Sequence, residues 1–309
     1  MQVSITGLIA LSFILQFGFS SPVNSQSMAV QPTPQTTITL PYRSTHSLPY
    51  PTPERQYRSD LWGSQLISNI SEPALMVFEP DAEKRNGAAV ILAPGGGLYV
   101  LSVMGEGVQV AEWLVDKGFT VFILKYRLVP TSGDGAAEIS KHLASNSSEL
   151  FEKVEEVLPF SIQDGIEAMK YVRGHASKYG IDPNRIGMMG FSAGGAVAMG
   201  VMYASEPQDR PDFFVPVYSW TTVYPVQEAP VDAPPMLVIC ATDDGLDLAK
   251  GSVELYHSWL RSGASAGLIM YSKGGHGFGM RKQGLPSDEW IERVYEWIIS
   301  ENLVVDKAE

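Results

Sequence analysis

The sequence predicts an α/β fold with a mostly parallel central sheet and helices on both faces, and three observations carry that prediction. Short apolar runs recur along the chain, each ending at Gly, Pro or a polar residue. Segments with helical spacing of apolar residues separate them. The chain has 309 residues, of which 45% are hydrophobic, and it carries 29 glycines, enough for one large core and many tight turns.

In chain order, AAVILA (Ala88 to Ala93) and VFIL (Val121 to Leu124) read as strands buried on both faces, since neither alternates apolar with polar residues. Between them, Val110, Ala111, Leu114 and Val115 share one helical face, and Gly118 suits the residue that ends the helix. Ile162, Ile166, Met169 and Val172 mark a second helix. RIGMMG (Arg185 to Gly190) is a strand, and the residues after Ser192 start another helix. FFVPVY, MLVICA and LIMY continue the strands, and Trp290, Val294, Trp297 and Ile298 lie on a last amphipathic helix.

Three segments stand outside this rhythm. Residues 1–25 read as a signal peptide, with a retained membrane anchor as the rival reading: Ile5 to Phe19 is an uncharged apolar run, and Val23 and Ser25 are small residues before a cleavage near Gln26. A secreted or periplasmic protein is expected, with no stable membrane insertion after cleavage. Residues 26–59, rich in Pro, Ser, Thr and Gln, read as a flexible, solvated segment, leaving one domain over 60–309. Within it, residues 131–159 are polar, charged and too long for a tight connection, so they read either as a candidate lid or as a solvated surface insertion. Asn69 and Asn146 open N-x-S sequons, which matter in a eukaryotic secretory pathway.

Charge and cysteine content exclude several classes. A net charge of -12 opposes attraction to phosphate backbones, so nucleic acid is not an expected partner. The single cysteine, Cys240, excludes an intramolecular disulfide and, inside MLVICA, reads as a buried strand residue.

The chemistry concentrates in GMMGFSAGGAV (Gly187 to Val197). Gly190-Phe191-Ser192-Ala193-Gly194 matches G-x-S-x-G between an apolar strand and an Ala/Gly-rich helix start. There a serine sits on a sharp turn and larger neighbours would collide with adjoining elements. A serine hydroxyl needs a base, and the base needs a carboxylate to fix its tautomer. The chain has five histidines. His46 lies in the flexible segment, His142 in the candidate lid, and His175 and His257 in helical patterns. His276, in SKGGHGFGM directly after LIMY, is free to approach a site at the sheet's edge. Asp243 and Asp244 follow MLVICA, and spacing does not choose between them. As sequence neighbours they point opposite ways on an extended chain, which argues against a paired-acid or metal site. Gly95, Gly96 and Gly97, after AAVILA, allow backbone N–H groups to face a substrate oxygen, with the Ala193 N–H as partner donor. That loop contains neither GxxxxGK[ST] nor GxGxxG, so it does not read as a phosphate loop.

With PGGG, KYRL, YGIDPNRIGMMGFSAGG, ATDDGL and GGHGFG in this order, the chain resembles the α/β-hydrolase superfamily, and within it exported esterase- and lipase-like hydrolases related to acetyl xylan esterases. The resemblance spans about Ser68 to Leu303. It implies the α/β-hydrolase fold and a serine carboxylic-ester hydrolase without cofactor or metal, acting on short acyl groups of small-molecule or carbohydrate esters. By similarity Ser192 is the nucleophile, His276 the base and Asp244 the acid, the last because Leu246 stands two places on, and Gly96, Gly97 and Ala193 are the oxyanion donors. A peptidase of the same fold and a non-catalytic binding protein are the rival readings. Two departures bear on specificity. Leu98 stands where relatives have tyrosine, and the segment from Ser219 to Pro235 is short for a substrate cap.

Overall fold

The computed structural model describes residues 34–41, 48–145 and 148–304. The expected signal peptide, His46 and the Asn146 sequon lie outside the described residues. Eleven strands are present among them: β1 (Thr36–Thr39), β2 (Arg55–Ser59), β3 (Ser64–Ser68), β4 (Ala74–Phe78), β5 (Ala89–Ala93), β6 (Val100–Leu101), β7 (Thr120–Lys125), β8 (Ile186–Phe191), β9 (Phe213–Val217), β10 (Met236–Ala241) and β11 (Ala266–Tyr271). The α-helices are α1 (Gln109–Asp116), α2 (Gly135–Ser145), α3 (Ser148–Gly174), α4 (Ser192–Ala204), α5 (Leu248–Ser262) and α6 (Trp290–Ser300).

The main sheet has eight strands in the order β1-β4-β7-β5-β8-β9-β10-β11. From β7 to β11 every neighbouring pair is parallel, while β4 pairs antiparallel with β7 and β1 antiparallel with β4. All residues of β5, β8, β9 and β10 are buried. Side chains alternate between faces along a strand, so both faces of the sheet are covered, as the unbroken apolar runs require. The chain leaves β5 for β7 on one side and then crosses to β8 on the other. The sheet's order therefore reverses between β5 and β8, where loops diverge from the strands' C-terminal ends and open a crevice.

One expectation changes. The region 26–59 is not a tether throughout: β1 pairs with β4 and β2 with β3. The β-branched run TTIT can complete a sheet edge despite its proline-rich surroundings, and β2 joins β3 and β6 in a small separate sheet. The candidate lid, residues 131–159, contains α2 and the start of α3, whose buried Leu150, Val154, Val157 and Leu158 repeat at helical spacing beneath charged neighbours. Pro159 lies inside α3 on its exposed side, where water can reach the carbonyl its missing N–H leaves unbonded. No helix among the described residues is long and apolar enough to cross a membrane.

Candidate active site

Four loops meet at the C-terminal edge of the parallel strands: Pro94–Gly97 after β5, Ser192 after β8, Asp243 and Asp244 after β10, and Ser272–Gly279 after β11. Ser192 begins α4 directly from β8, with φ at +50°, a conformation non-glycine residues adopt at an energetic cost. Its neighbours are small for a measurable reason. A Cβ at Gly190 would stand 2.5 Å from Gly194 O and 2.7 Å from Ala198 Cβ. One at Gly194 would collide with Ala93 O, and one at Gly195 with Ser219 Oγ. The turn can therefore form only with glycine on both sides.

Ser192 Oγ is 2.9 Å from His276 Nε2, and His276 Nδ1 is 2.8 Å from Asp244 Oδ2. The Asp244 side chain is fully shielded, that of His276 is 25% exposed, and Ser192 is buried at 7%; Ser192 and His276 both line one cavity. Asp244 Oδ1 also accepts the Leu246 N–H at 2.8 Å, which fixes the carboxylate's rotation. Asp243 turns the other way. Its Oδ1 accepts the Gly275 N–H at 2.8 Å and its Oδ2 lies 3.7 Å from Lys273 Nζ. It thus braces the loop carrying His276 without touching the imidazole. With both Nδ1 and Nε2 in hydrogen-bond reach, such an imidazole can take a proton from the serine and return it to a leaving group.

Gly96 and Gly97, both with positive φ (126° and 64°), line the same cavity as Ser192. Gly96 O accepts the N–H groups of Tyr99 and Val100, which curls the loop. A Cβ at Gly97 would stand 2.6 Å from the Ile139 side chain, so α2 lies close over this loop. Ala193 is the second residue of α4, where a helix leaves its N–H without an intrahelical acceptor. The Gly95 amide instead donates to Glu106 Oε2 at 2.8 Å. Leu98 adopts φ +63° and Tyr99 is buried with its ring near His142; neither lines the cavity.

The cavity has a volume of about 640 Å³. Apolar side chains of Leu61, Trp62, Met104, Leu143, Trp220 and Leu246 line it, with Arg58 and Arg281 among its polar residues. Ile139, Ser140 and Leu143 bring α2 onto its wall, and Trp62 Nε1 donates to Ser140 Oγ at 3.2 Å. Among the described residues no group of three or more His, Cys, Asp or Glu could hold a metal ion. Sequence reasoning missed the aromatic lining and Glu106. The one available signal for Glu106 was a lone carboxylate in the otherwise uncharged stretch LYVLSVMGEGVQVA.

A family model described as BD-FAE matches residues 144–213. An acetylxylan esterase of Xylanibacter ruminicola is 26% identical over 264 residues, covering 76% of this chain and 49% of that protein. This chain thus spans about half the length of that curated relative. The structure of an acetyl ester-xyloside bifunctional hydrolase from Caldicellulosiruptor lactoaceticus matches with a TM-score of 0.64 and 22% identity, over 88% of this chain and 98% of that one. A carboxylesterase of Lactobacillus plantarum matches at 0.59 and 17% identity, over 83% of this chain and 100% of the other.

Proposed function

Starting from the α/β-hydrolase fold that this chain has, we propose that it is a serine carboxylic-ester hydrolase that removes short acyl groups, acetyl in particular, from small-molecule or carbohydrate alcohols. The single observation that carries the reading is the hydrogen-bonded chain from Ser192 Oγ through His276 to Asp244, opening onto a cavity of about 640 Å³. Named esterases among the similar proteins support the reaction class, and the acetylxylan esterase supports the acyl group.

In this reading Ser192 Oγ attacks the acyl carbon while its proton passes to His276 Nε2. The charge that develops on the carbonyl oxygen meets the N–H groups of Gly96, Gly97 and Ala193, a contribution of about 3 kcal/mol per donor in comparable sites. Asp244 holds the imidazole at Nδ1 and stabilises its cationic form. His276 then protonates the leaving alkoxide, and a water molecule, deprotonated by the same nitrogen, releases the acid from the acyl-serine. The residues 131–159, through α2, cover the acyl-binding cavity, and residues 1–25 direct the protein to the periplasm or outside the cell.

The test is a substrate series. Nitrophenyl acetate, butyrate and octanoate are compared by kcat/KM, and acetate release is measured from acetylated xylan. The reading expects the acetyl ester to lead the series; preference for octanoate contradicts the proposed acyl class, and acetate release from xylan separates carbohydrate from small-molecule alcohols.

A further inference from the structure

Glu106 is a carboxylate buried beside the candidate site, yet the ester reaction described above gives it no role. It lies in a helical turn, Met104–Val108, that runs directly into α1, and it is 6% exposed. Burial raises its pKa, opposed by hydrogen bonds from Tyr218 and Gly95 and by the nearby His276. An apolar side chain would fill the same space without the desolvation penalty of a carboxylate, so the position calls for its hydrogen-bonding capacity.

Its two oxygens face two different elements. Glu106 Oε2 accepts the Gly95 N–H at 2.8 Å, in the loop that carries Gly96 and Gly97. Glu106 Oε1 accepts the Tyr218 hydroxyl at 2.8 Å, just after β9. Tyr218 Oη in turn accepts the Gly279 N–H at 3.0 Å, three residues beyond His276. The Tyr218 ring also meets His276 edge-on, with centroids 5.3 Å apart. A parallel tie runs beside this one, from the Met280 N–H to Gly105 O at 3.0 Å.

The glycines at these contacts fit that frame. A Cβ at Gly95 would stand 2.8 Å from Glu106 Oε2 and 2.9 Å from Ser192 Cβ, and one at Gly279 would stand 2.8 Å from Gly105 O. The oxyanion loop, the turn carrying Glu106 and the histidine loop therefore approach one another as closely as backbone allows.

We propose that Glu106 is a positioning residue for the hydrolase: through Gly95 on one side and through Tyr218 and Gly279 on the other, its carboxylate ties the oxyanion loop and the His276 loop into one frame around Ser192. The inference rests on the esterase reading. In acyl transfer the donors and the base must be in register at the same moment, and displacements near 1 Å cost about a hundredfold in rate. A frame linking both loops holds that register.

The experiment measures kcat and KM for nitrophenyl acetate, with active sites counted by end-point labelling with a fluorophosphonate, in wild type, Tyr218→Phe, Glu106→Gln and Glu106→Ala. A structural role alone would lower the labelled fraction and leave turnover per labelled serine unchanged. The frame predicts that Tyr218→Phe and Glu106→Ala lose about 10- to 100-fold in kcat per labelled serine, with KM within about threefold. Glu106→Gln, whose amide can accept from Gly95 and donate to Tyr218 Oη, recovers most of the Glu106→Ala loss. If Glu106→Ala does not fold, Tyr218→Phe decides. Turnover per labelled serine within about threefold of wild type in Tyr218→Phe, or a Glu106→Gln no better than Glu106→Ala, overturns the inference while the esterase reading stands. A wild type that turns over no faster than Ser192→Ala overturns both.

Discussion

Asp244 Oδ2 lies 2.8 Å from His276 Nδ1, whereas the adjacent Asp243 bonds the backbone of Gly275. Two carboxylates that differ by one position in sequence thus face different partners, one the imidazole and the other the loop that carries it. Replacing each in turn separates the two roles. Asp244→Asn is expected to lower kcat on the order of 10⁴-fold, through loss of the correct tautomer. Asp243→Asn, which keeps an acceptor for the Gly275 N–H, is expected to change kcat by less than about tenfold. Steady-state kinetics on a nitrophenyl ester checks both, and equal losses would contradict the assignment.

The turn at Ser192 depends on glycine at position 194, because a Cβ there would enter the space of Ala93 O and lie 2.4 Å or less from backbone oxygen on two residues. The obstacle is backbone of the adjacent strand, which has no rotamer to change. Gly194→Ala is expected to destabilise the fold by about 1–3 kcal/mol or more, seen as a lower urea midpoint. Gly245→Ala, where nothing lies near the added methyl, serves as the tolerant comparison.

Arg127 and Asp164 form a buried pair. Arg127 Nη2 is 2.6 Å from Asp164 Oδ1, the Arg127 backbone N–H reaches Asp164 Oδ2 at 2.8 Å, and the side chains are 5% and 0% exposed. Removing the acid leaves a guanidinium and an amide buried without it. Asp164→Ala is expected to cost about 3–5 kcal/mol in denaturant unfolding. A change below about 1 kcal/mol would show that the pair contributes only as much as a surface ion pair.

The Cys240 thiol is buried in β10, and burial pushes its pKa up to about 11. At pH 8 a thiol shifted upward stays protonated, with about one molecule in a thousand as thiolate. The native protein is therefore expected to give no fast reaction with a disulfide reagent at pH 8, and one thiol per chain after unfolding in guanidinium. Rapid native labelling would place Cys240 at an accessible, activated site.

Much of the fold was legible because β5, β7, β8, β9 and β10 are covered on both faces and so leave unbroken apolar runs in the sequence. The elements that stayed hidden lack that mark. β1 is a polar TTIT run whose partner, β4, lies more than thirty residues on, and the start of α3 carries its buried stripe among lysines and glutamates. Ser192 and His276 were legible from their glycine-rich turns after apolar strands, and the structure brings them together with Asp244 at one sheet edge. The choice between Asp243 and Asp244 needs the direction in which each leaves β10, which one-dimensional spacing does not contain. Glu106 is less legible still. Its partners, Gly95 and Tyr218, are 11 and 112 residues away, and only the order of strands in the sheet makes them neighbours.

The central proposal, that Ser192 forms the acyl-enzyme, is tested most directly by reacting the purified protein with a fluorophosphonate, locating the adduct by peptide mass spectrometry, and measuring nitrophenyl acetate turnover beside Ser192→Ala. The expected result is a single adduct on Ser192 and a loss of turnover on the order of 10⁶-fold in the variant. An adduct on another residue, or a Ser192→Ala protein that retains wild-type turnover, would contradict it.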